Sequence, residues 1–421
     1  KVYINKMAIT IQDQPNTSLV RPAFAPIDFL LSSGNTAQAG FKIVCKVYLN
    51  PAGANTLIST QQVYTIPATT QSVFKVQDVI KSYVASTYSV IDGDTVDVID
   101  TTLNNFNVVF QEYYGGALVG SLYTSNTFSS WYASPTYVEF AANTWQGWQM
   151  TAGDVGKEFI NGYGNQVSKY SNFDQNDPWL KVSPTQKFQI GWLLKKSGSD
   201  ITTEVKLQTL DSAFATIVST QTAPSVDNVG AYALDVGAAQ LASHTWDDTV
   251  VMTNVKYYVL TIFETNDQDQ EMKSILFEVD SCDTNYTSYE LHWLNRKGGY
   301  DSMIFDGKST ERTNINKSFA KFANSNISGT SLNYKTSNQR TRAFHTGLKT
   351  EYKINSRLLN DSEMLGMQDL YTSPEIYWLS PDGFINVNTE MNSYEHMKSE
   401  DGRVYSVELT MTVDNSDERQ W

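Results

Sequence analysis

Phe41-Lys-Ile-Val-Cys-Lys-Val-Tyr-Leu49 alternates apolar and polar residues, with Phe41, Ile43, Cys45, Val47 and Leu49 on one side. A period of two is the signature of a strand with one face on a core and the other on solvent. The same period recurs at Phe106, Val108 and Phe110, with Asn107 and Gln111 opposite. It returns at Tyr405, Val407, Leu409, Met411 and Val413, where Ser406, Glu408, Thr410 and Thr412 alternate outward. Gln189–Lys195 and Ile201–Leu207 flank the polar turn Lys196-Ser-Gly-Ser-Asp200 and predict a hairpin. Val255–Phe263 and Ser274–Val279 flank Asn266-Asp-Gln-Asp-Gln270 and predict a second. Helical spacing is confined to Val76, Val79, Ile80, Tyr83 and Val84, and to Leu358–Leu370, where Asp361 or Ser362 is the expected cap. The expected fold is mainly β: tandem antiparallel β-sandwich domains with one or two short helices and an extended C-terminal region.

The chain of 421 residues carries 31 Lys+Arg against 45 Asp+Glu, a formal charge of −14, with only 18% charged residues and 12% aromatics. That much apolar and aromatic content supports a packed core and excludes a disordered chain. The acidic balance disfavours nucleic acid, whose phosphates require a basic face. No run of about 18 apolar residues predicts a membrane span, and Lys1–Met7 lacks the apolar core of a secretory leader. Cys45 and Cys282 lie in strand-like runs and are expected as buried free thiols, the alternative being a long-range disulfide.

Composition shifts divide the chain into three. Residues 1–150 are expected to form an N-terminal β-sandwich. A second sandwich, 151–284, follows the Gly, Asn and Asp-rich stretch Gly153–Pro178. The remainder, 285–421, reads as β-hairpins with an extended basic arm over Lys308–Arg342, a polar segment too poor in apolar residues to close a core alone.

Catalytic signatures are missing. His244, His292, His345 and His396 have no zinc spacing, and there is no G-x-S-x-G elbow, Walker loop or G-x-G-x-x-G. Asp92, Asp94, Asp97 and Asp100, and Asp267, Asp269 and Glu271, do not match a calcium loop and read as solvated turns. The sequence therefore predicts no metal, no cofactor and no enzyme; a polysaccharide hydrolase whose carboxylates meet only in the fold is the remaining enzymatic alternative. Trp131, Tyr132, Tyr137, Phe140, Trp145 and Trp148 cluster among amides and hydroxyls. Trp131, Trp145 and Trp148 are candidate glycan contacts, for a carbohydrate-binding adhesin; the competing reading is that these rings close the first sandwich or dock it on the second.

Trp293-Leu-Asn-Arg-Lys-Gly-Gly-Tyr-Asp301, followed by Ile304-Phe-Asp-Gly-Lys308, resembles a W-x-N-x-x-G-G-x-D…F pattern in structural proteins of tailed bacteriophages infecting Bacteroidota-type hosts. Arg21–Asp28 with Phe41–Leu49 and Val73–Val84, and Leu370–Trp378 with Phe384–Val387, are similar to the same family. The resemblance implies a virion component of tail, baseplate or neck, assembled in the host cytoplasm into a ring with copies of itself and other virion proteins. In the hairpin, Gly298-Gly299 permits a tight turn, with Asn295 or Asp301 bonding turn amides and Trp293 and Phe305 packing across it. The subunit interface is expected at Trp293, Asn295, Gly298, Gly299, Asp301 and Phe305, with Arg312, Lys317, Lys321, Lys335, Arg340 and Arg342 meeting a neighbour's acidic face.

Overall fold

A computed structural model describes residues 9–49, 55–86, 97–98, 103–150, 156–195, 203–226, 230–244, 246–264, 267–280, 286–321, 326–328, 330–333, 341–381, 383–390, 406–413 and 417–420. The protein is mainly β: the described residues are about 51% strand and 9% helix, in several predominantly antiparallel sheets, and form no barrel.

In the N-terminal sandwich a three-stranded sheet (Thr10–Asp13, Asp28–Ser32, Gln71–Lys75) faces a six-stranded one. The latter runs Val20–Pro22, Phe128–Trp131, Leu103–Tyr114, Lys42–Leu49, Thr56–Val63, with Ala117–Thr124 added beside Leu103–Tyr114. Phe41, Ile43, Cys45 and Val47 point into the core, as their period requires, and meet Phe29 and Phe74 from the opposite sheet. The Phe29 and Phe110 rings lie edge to face at 5.4 Å, a favoured aromatic geometry. Burial pushes the free Cys45 thiol well above its ordinary range, so it packs as a small apolar side chain. Only Gln77–Ile80 of the expected 76–84 helix forms, followed by a turn; Val76, Ile80 and Val84 are buried while Tyr83 stays 41% exposed.

The middle sandwich pairs a four-stranded sheet with a seven-stranded one. Here the first predicted hairpin does not exist. Gln189–Leu194 pairs with Gly230–Asp235 in the smaller sheet, whereas Thr203–Leu210 joins Tyr257–Glu264 and Thr216–Val226 in the larger. The reason is burial on both faces: every residue of Gln189–Leu194 is buried, as is every residue of its partner, so the strand lies inside a sheet rather than in an exposed hairpin. The second predicted pairing is present, with Tyr257 opposite Glu278 and Leu260 opposite Ile275.

The C-terminal region holds an eight-stranded sheet, from Tyr300–Phe305 through Tyr289–Leu294, Ile376–Ser380, Gly383–Thr389, Glu408–Val413 and Thr341–Asn355 to Thr310–Lys321, with Asp417–Gln420 also beside Thr341–Asn355, and a separate two-stranded sheet of Asn326–Ser328 and Ser331–Asn333. The helix Asp361–Thr372 packs Met364, Met367 and Leu370 into the core. Its cap is Asn360 rather than Asp361 or Ser362: the Asn360 carboxamide accepts from Glu363 N–H at 2.9 Å, and Glu363 accepts in return from Asn360 N–H at 2.8 Å. Asn360→Ala is expected to cost about 1 kcal/mol, read as a lower urea midpoint at unchanged slope.

The boundaries near 150 and 284 are not breaks in the core. A single apolar cluster runs from Met150 to Met411, and another joins Val20, Trp131 and Trp145 to Ile160, Leu193 and Ala231. Within the expected linker, Phe159, Ile160, Asn161 and Tyr163 are at most 2% exposed. Asn161 and Asn165 are polar because they hydrogen-bond main-chain carbonyls in the interior, whereas Ser171, Asn172 and Asp174–Asn176 are exposed.

Candidate functional site

The Tyr289–Leu294/Tyr300–Phe305 hairpin sits where the three regions meet. Its register sets Trp293 opposite Asp301 and Tyr289 opposite Phe305. Trp293 and Phe305 therefore share a core without forming a cross-strand pair; Trp293 instead meets Tyr163 edge to face at 6.1 Å. In the turn, the Asn295 side-chain Oδ1 accepts from Lys297 N–H at 2.9 Å and Gly299 N–H at 3.2 Å. Gly298 holds φ +92°, and a Cβ there would lie 1.9 Å from the Tyr132 carbonyl oxygen. A Cβ on Gly299 would lie 2.7 Å from the Ile160 carbonyl oxygen. Both glycines exist for close approach: one to the N-terminal region, one to the loop from the middle region.

Hydrogen bonds fix these contacts. Trp131 Nε1 donates to the Lys297 carbonyl at 3.0 Å and Ser134 N–H to the Arg296 carbonyl at 2.7 Å. Asp301 accepts from Asn161 Nδ2 at 3.0 Å, Gly162 N–H at 2.9 Å and Asn295 Nδ2 at 2.9 Å. Arg296 reaches Glu139 at 2.9 Å and Asp369 at 3.5 Å, while Glu158 takes Lys297 at 2.9 Å and Lys273 at 2.8 Å. Burial would raise the Glu158 carboxyl, but Lys297 and Lys273 together hold it down at about 2. Burial pushes Asp301 up to about 6 and Asp369 up to about 7, the Asp301 charge adding to the latter. A cavity of about 320 Å³ between Glu139, Trp148, Glu158, Arg296 and Lys297 is thus walled by ion pairs already made. Among the described residues no three His, Cys, Asp or Glu side chains gather as a metal site.

This geometry corrects two expectations. Trp293, Asn295, Asp301 and Phe305 are 0–2% exposed, and Gly298 and Gly299 are buried. They bind the chain's own regions and present nothing to a neighbour. Trp131 and Trp145 are fully buried and Trp148 is 3% exposed, so none offers a ring face to a sugar; they dock the first sandwich on the second. His244 is buried against the Asp235 carbonyl and His292 against Glu290, whereas His396, Cys282, Lys335 and Arg340 lie outside the described residues.

The arm is different. Among the described residues, Thr310–Lys321 pairs on one side only, with Thr341–Asn355, and ten of its twelve residues are exposed. Arg312, Lys317, Lys321 and Arg342 are all exposed, and between them Ile315, Phe319 and Phe344 are 57%, 58% and 48% exposed. Sequence reading located the charges of this arm but gave no role to Ile315 and Phe319, the large apolar side chains exposed on its described strand.

Neither a family model nor a curated protein matches the sequence. Among solved structures, the chicken CNTN1 FN1–FN3 domains align over 82% of this chain and 91% of theirs, at 8% identity and a TM-score of 0.20. Trypsin-activated alpha-2-macroglobulin from Escherichia coli aligns over 99% of this chain and 34% of its own, at 9% identity and a TM-score of 0.21. The chain thus spans about a third of the length of that macroglobulin. What the described residues define is a class: a multi-region β protein with a hydrogen-bonded junction and an exposed arm. Among the described residues no helix is long and apolar enough to cross a membrane.

Proposed function

We propose that the chain is a non-enzymatic structural subunit of a tailed-phage virion, a tail, baseplate or neck component that joins copies of itself through the arm. The phage assignment rests on the resemblance of the Trp293–Asp301 pattern. Assembly rests on one observation: a 12-residue strand open to solvent on both faces, bearing Ile315 and Phe319. Strands with no core beneath them are marginal in water, and exposed apolar edges invite pairing. Charge favours a second copy as the partner. Lys308–Arg342 holds seven basic residues and one acidic, net +6, which leaves −20 on the rest of the chain. Opposite fields steer such an encounter and set its register.

Replacing Ile315–Leu348 by a two-residue turn is the direct test, because Asn314 stands opposite Lys349 and the shortened strand keeps its Glu408–Val413 partner over Glu351–Asn355. The intact chain is expected to scatter light as a multiple of 47.2 kDa and the shortened chain as a monomer. A shortened chain that assembles like the intact one overturns the proposal.

A further inference from the structure

Beside the Ala117–Thr124 strand the N-terminal sandwich leaves a cavity of about 210 Å³, with Asn35, Glu112, Tyr114, Ser121 and Tyr123 in its wall. A bulge opens it. Tyr123 stands opposite Phe110 and Val119 opposite Glu112, so Gly120, Ser121 and Leu122 face Gln111 alone. Bulges of this kind re-aim side chains and are enriched beside active sites. Glu112 continues the period of Phe106, Val108 and Phe110, so it turns inward, where a sandwich strand normally carries an apolar residue. It is 4% exposed. Its Oε1 accepts from Ser33 Oγ at 2.5 Å and its Oε2 from Asn35 Nδ2 at 2.8 Å, neither donor being charged. Among the described residues no cation forms an ion pair with this carboxylate. Lys42, on the neighbouring strand, turns to the outer face, where its ammonium lies 4.3 Å from the centroid of the Tyr113 ring. A buried carboxylate without a counter-charge is unfavourable. Asn35, also 4% exposed, spends its Nδ2 on Glu112, and its Oδ1 is buried with no hydrogen-bond partner.

We infer that this cavity binds an organic cation, an alkylammonium or guanidinium group held by Glu112 and Asn35. Its buried polar groups only accept: ionised Glu112 offers lone pairs, and the unspent atom of Asn35 is its carbonyl oxygen. An ammonium carries three donors and a guanidinium five, and neither accepts. Either therefore matches the site, and its charge offsets that of Glu112. Tyr114 and Tyr123 add aromatic wall, which suits a cation and its methylene stem. Tyr114 is itself seated by stacking on Phe41, the ring centroids 6.3 Å apart. Two other ligand classes fit less well. A sugar is neutral and leaves the carboxylate without a counter-charge. A calcium ion takes about 6–8 oxygen ligands, and this wall brings one carboxylate. The cavity is also smaller than the roughly 300 Å³ at which sites for drug-sized molecules begin, as a group the size of one side chain requires. The same cation occurs on free amines and on the lysine or arginine side chains of a peptide. No residue of the arm takes part, so the inference stands apart from the assembly reading.

Ligand-detected saturation-transfer NMR on the whole chain tests it, with butylammonium, butylguanidinium and Nα-acetyl-lysine N-methylamide as probes and butanol as the neutral control. A chain of charge −14 attracts any cation loosely, so the decisive comparison is among variants that each change the charge by one unit. Glu112→Gln removes the carboxylate. Ser121→Lys, at an exposed position in the cavity wall, supplies the site with an ammonium of the chain's own. Both are expected to weaken cation binding at least tenfold, whereas Glu311→Gln, exposed on the arm, is expected to leave it unchanged. Unchanged far-UV circular dichroism confirms folding, and if Glu112→Gln does not fold, Ser121→Lys carries the test. Tighter binding of the lysine amide than of butylammonium assigns a peptide-borne side chain, and the reverse order a free amine. Cation binding that persists in Ser121→Lys and in folded Glu112→Gln overturns the inference. So does butanol binding as well as butylammonium, and so does displacement of the probes by millimolar calcium, which would make this a metal site.

Discussion

Gly298→Ala is expected to lower stability by more than about 4 kcal/mol, the range reserved for buried clashes and broken networks. Two costs coincide at this position. The backbone stands at φ +92°, where a side chain adds about 1–3 kcal/mol of strain. The new methyl carbon would also lie 1.9 Å from the Tyr132 carbonyl oxygen, so the turn or the N-terminal region must retreat. Neither moves freely, because Trp131 Nε1 and Ser134 N–H are bonded to the carbonyls of Lys297 and Arg296 on the same turn. Relief of the clash therefore breaks both bonds and opens the junction. A shifted urea midpoint measures this loss. A midpoint within 1 kcal/mol of the unmodified chain would mean that the N-terminal sandwich does not seat on the turn.

Legibility in the sequence followed the range of the interaction. Phe41–Leu49 could be read because one face of that strand is apolar and the other polar, a local record of where the core lies. Gln189–Leu194 defeated the same reading because both of its faces are buried, which erases the alternation. The capping box was one residue away from its expected place because Asn360, Asp361 and Ser362 are all competent caps; only the reciprocal Glu363 contact selects among them. The junction was the hardest part. Asn161 and Gly162 look like linker residues until Asp301, some 140 positions on, is known to accept their hydrogen bonds. The tryptophans likewise resemble a sugar platform until Trp131 is seen donating to Lys297, 166 residues away. Partners at that separation leave no trace in neighbouring residues. The arm was legible for the opposite reason: lacking a core, its chemistry is local.

Stability is expected to fall as pH rises from about 4 to about 7, with Asp369 responsible for most of the slope. The Asp369 and Asp301 carboxylates flank Gly162 so closely that a Cβ there would lie 2.5 Å from one and 2.8 Å from the other. Asp369 is raised from 3.8 to about 7, by burial first, with Arg296 opposing and Asp301 adding. Asp301 is raised from 3.8 to about 6. A carboxyl whose folded value exceeds its unfolded one keeps its proton longer when folded, so folding is favoured below the unfolded value and penalised as pH passes the folded one. Three units at 1.36 kcal/mol each bound the Asp369 penalty at about 4 kcal/mol. Glu158, held down at about 2 by its two lysines, works in the other direction: its stabilisation is present above its ordinary value of 4.5 and disappears as pH falls toward 2. The two trends place the optimum in mildly acidic solution. Asparagine substitutions separate the members of the pair. Asp369→Asn removes the titrating group, keeps an acceptor for its neighbours and leaves Arg296 its Glu139 partner, so it should flatten the profile and stabilise the chain at pH 8 by about 2–4 kcal/mol. Asp301→Asn should destabilise at every pH, because Asp301 accepts from three N–H groups and an amide nitrogen would face at least one of them. Urea midpoints at pH 5 and pH 8 decide the matter: a slope that persists in Asp369→Asn would remove Asp369 as its source.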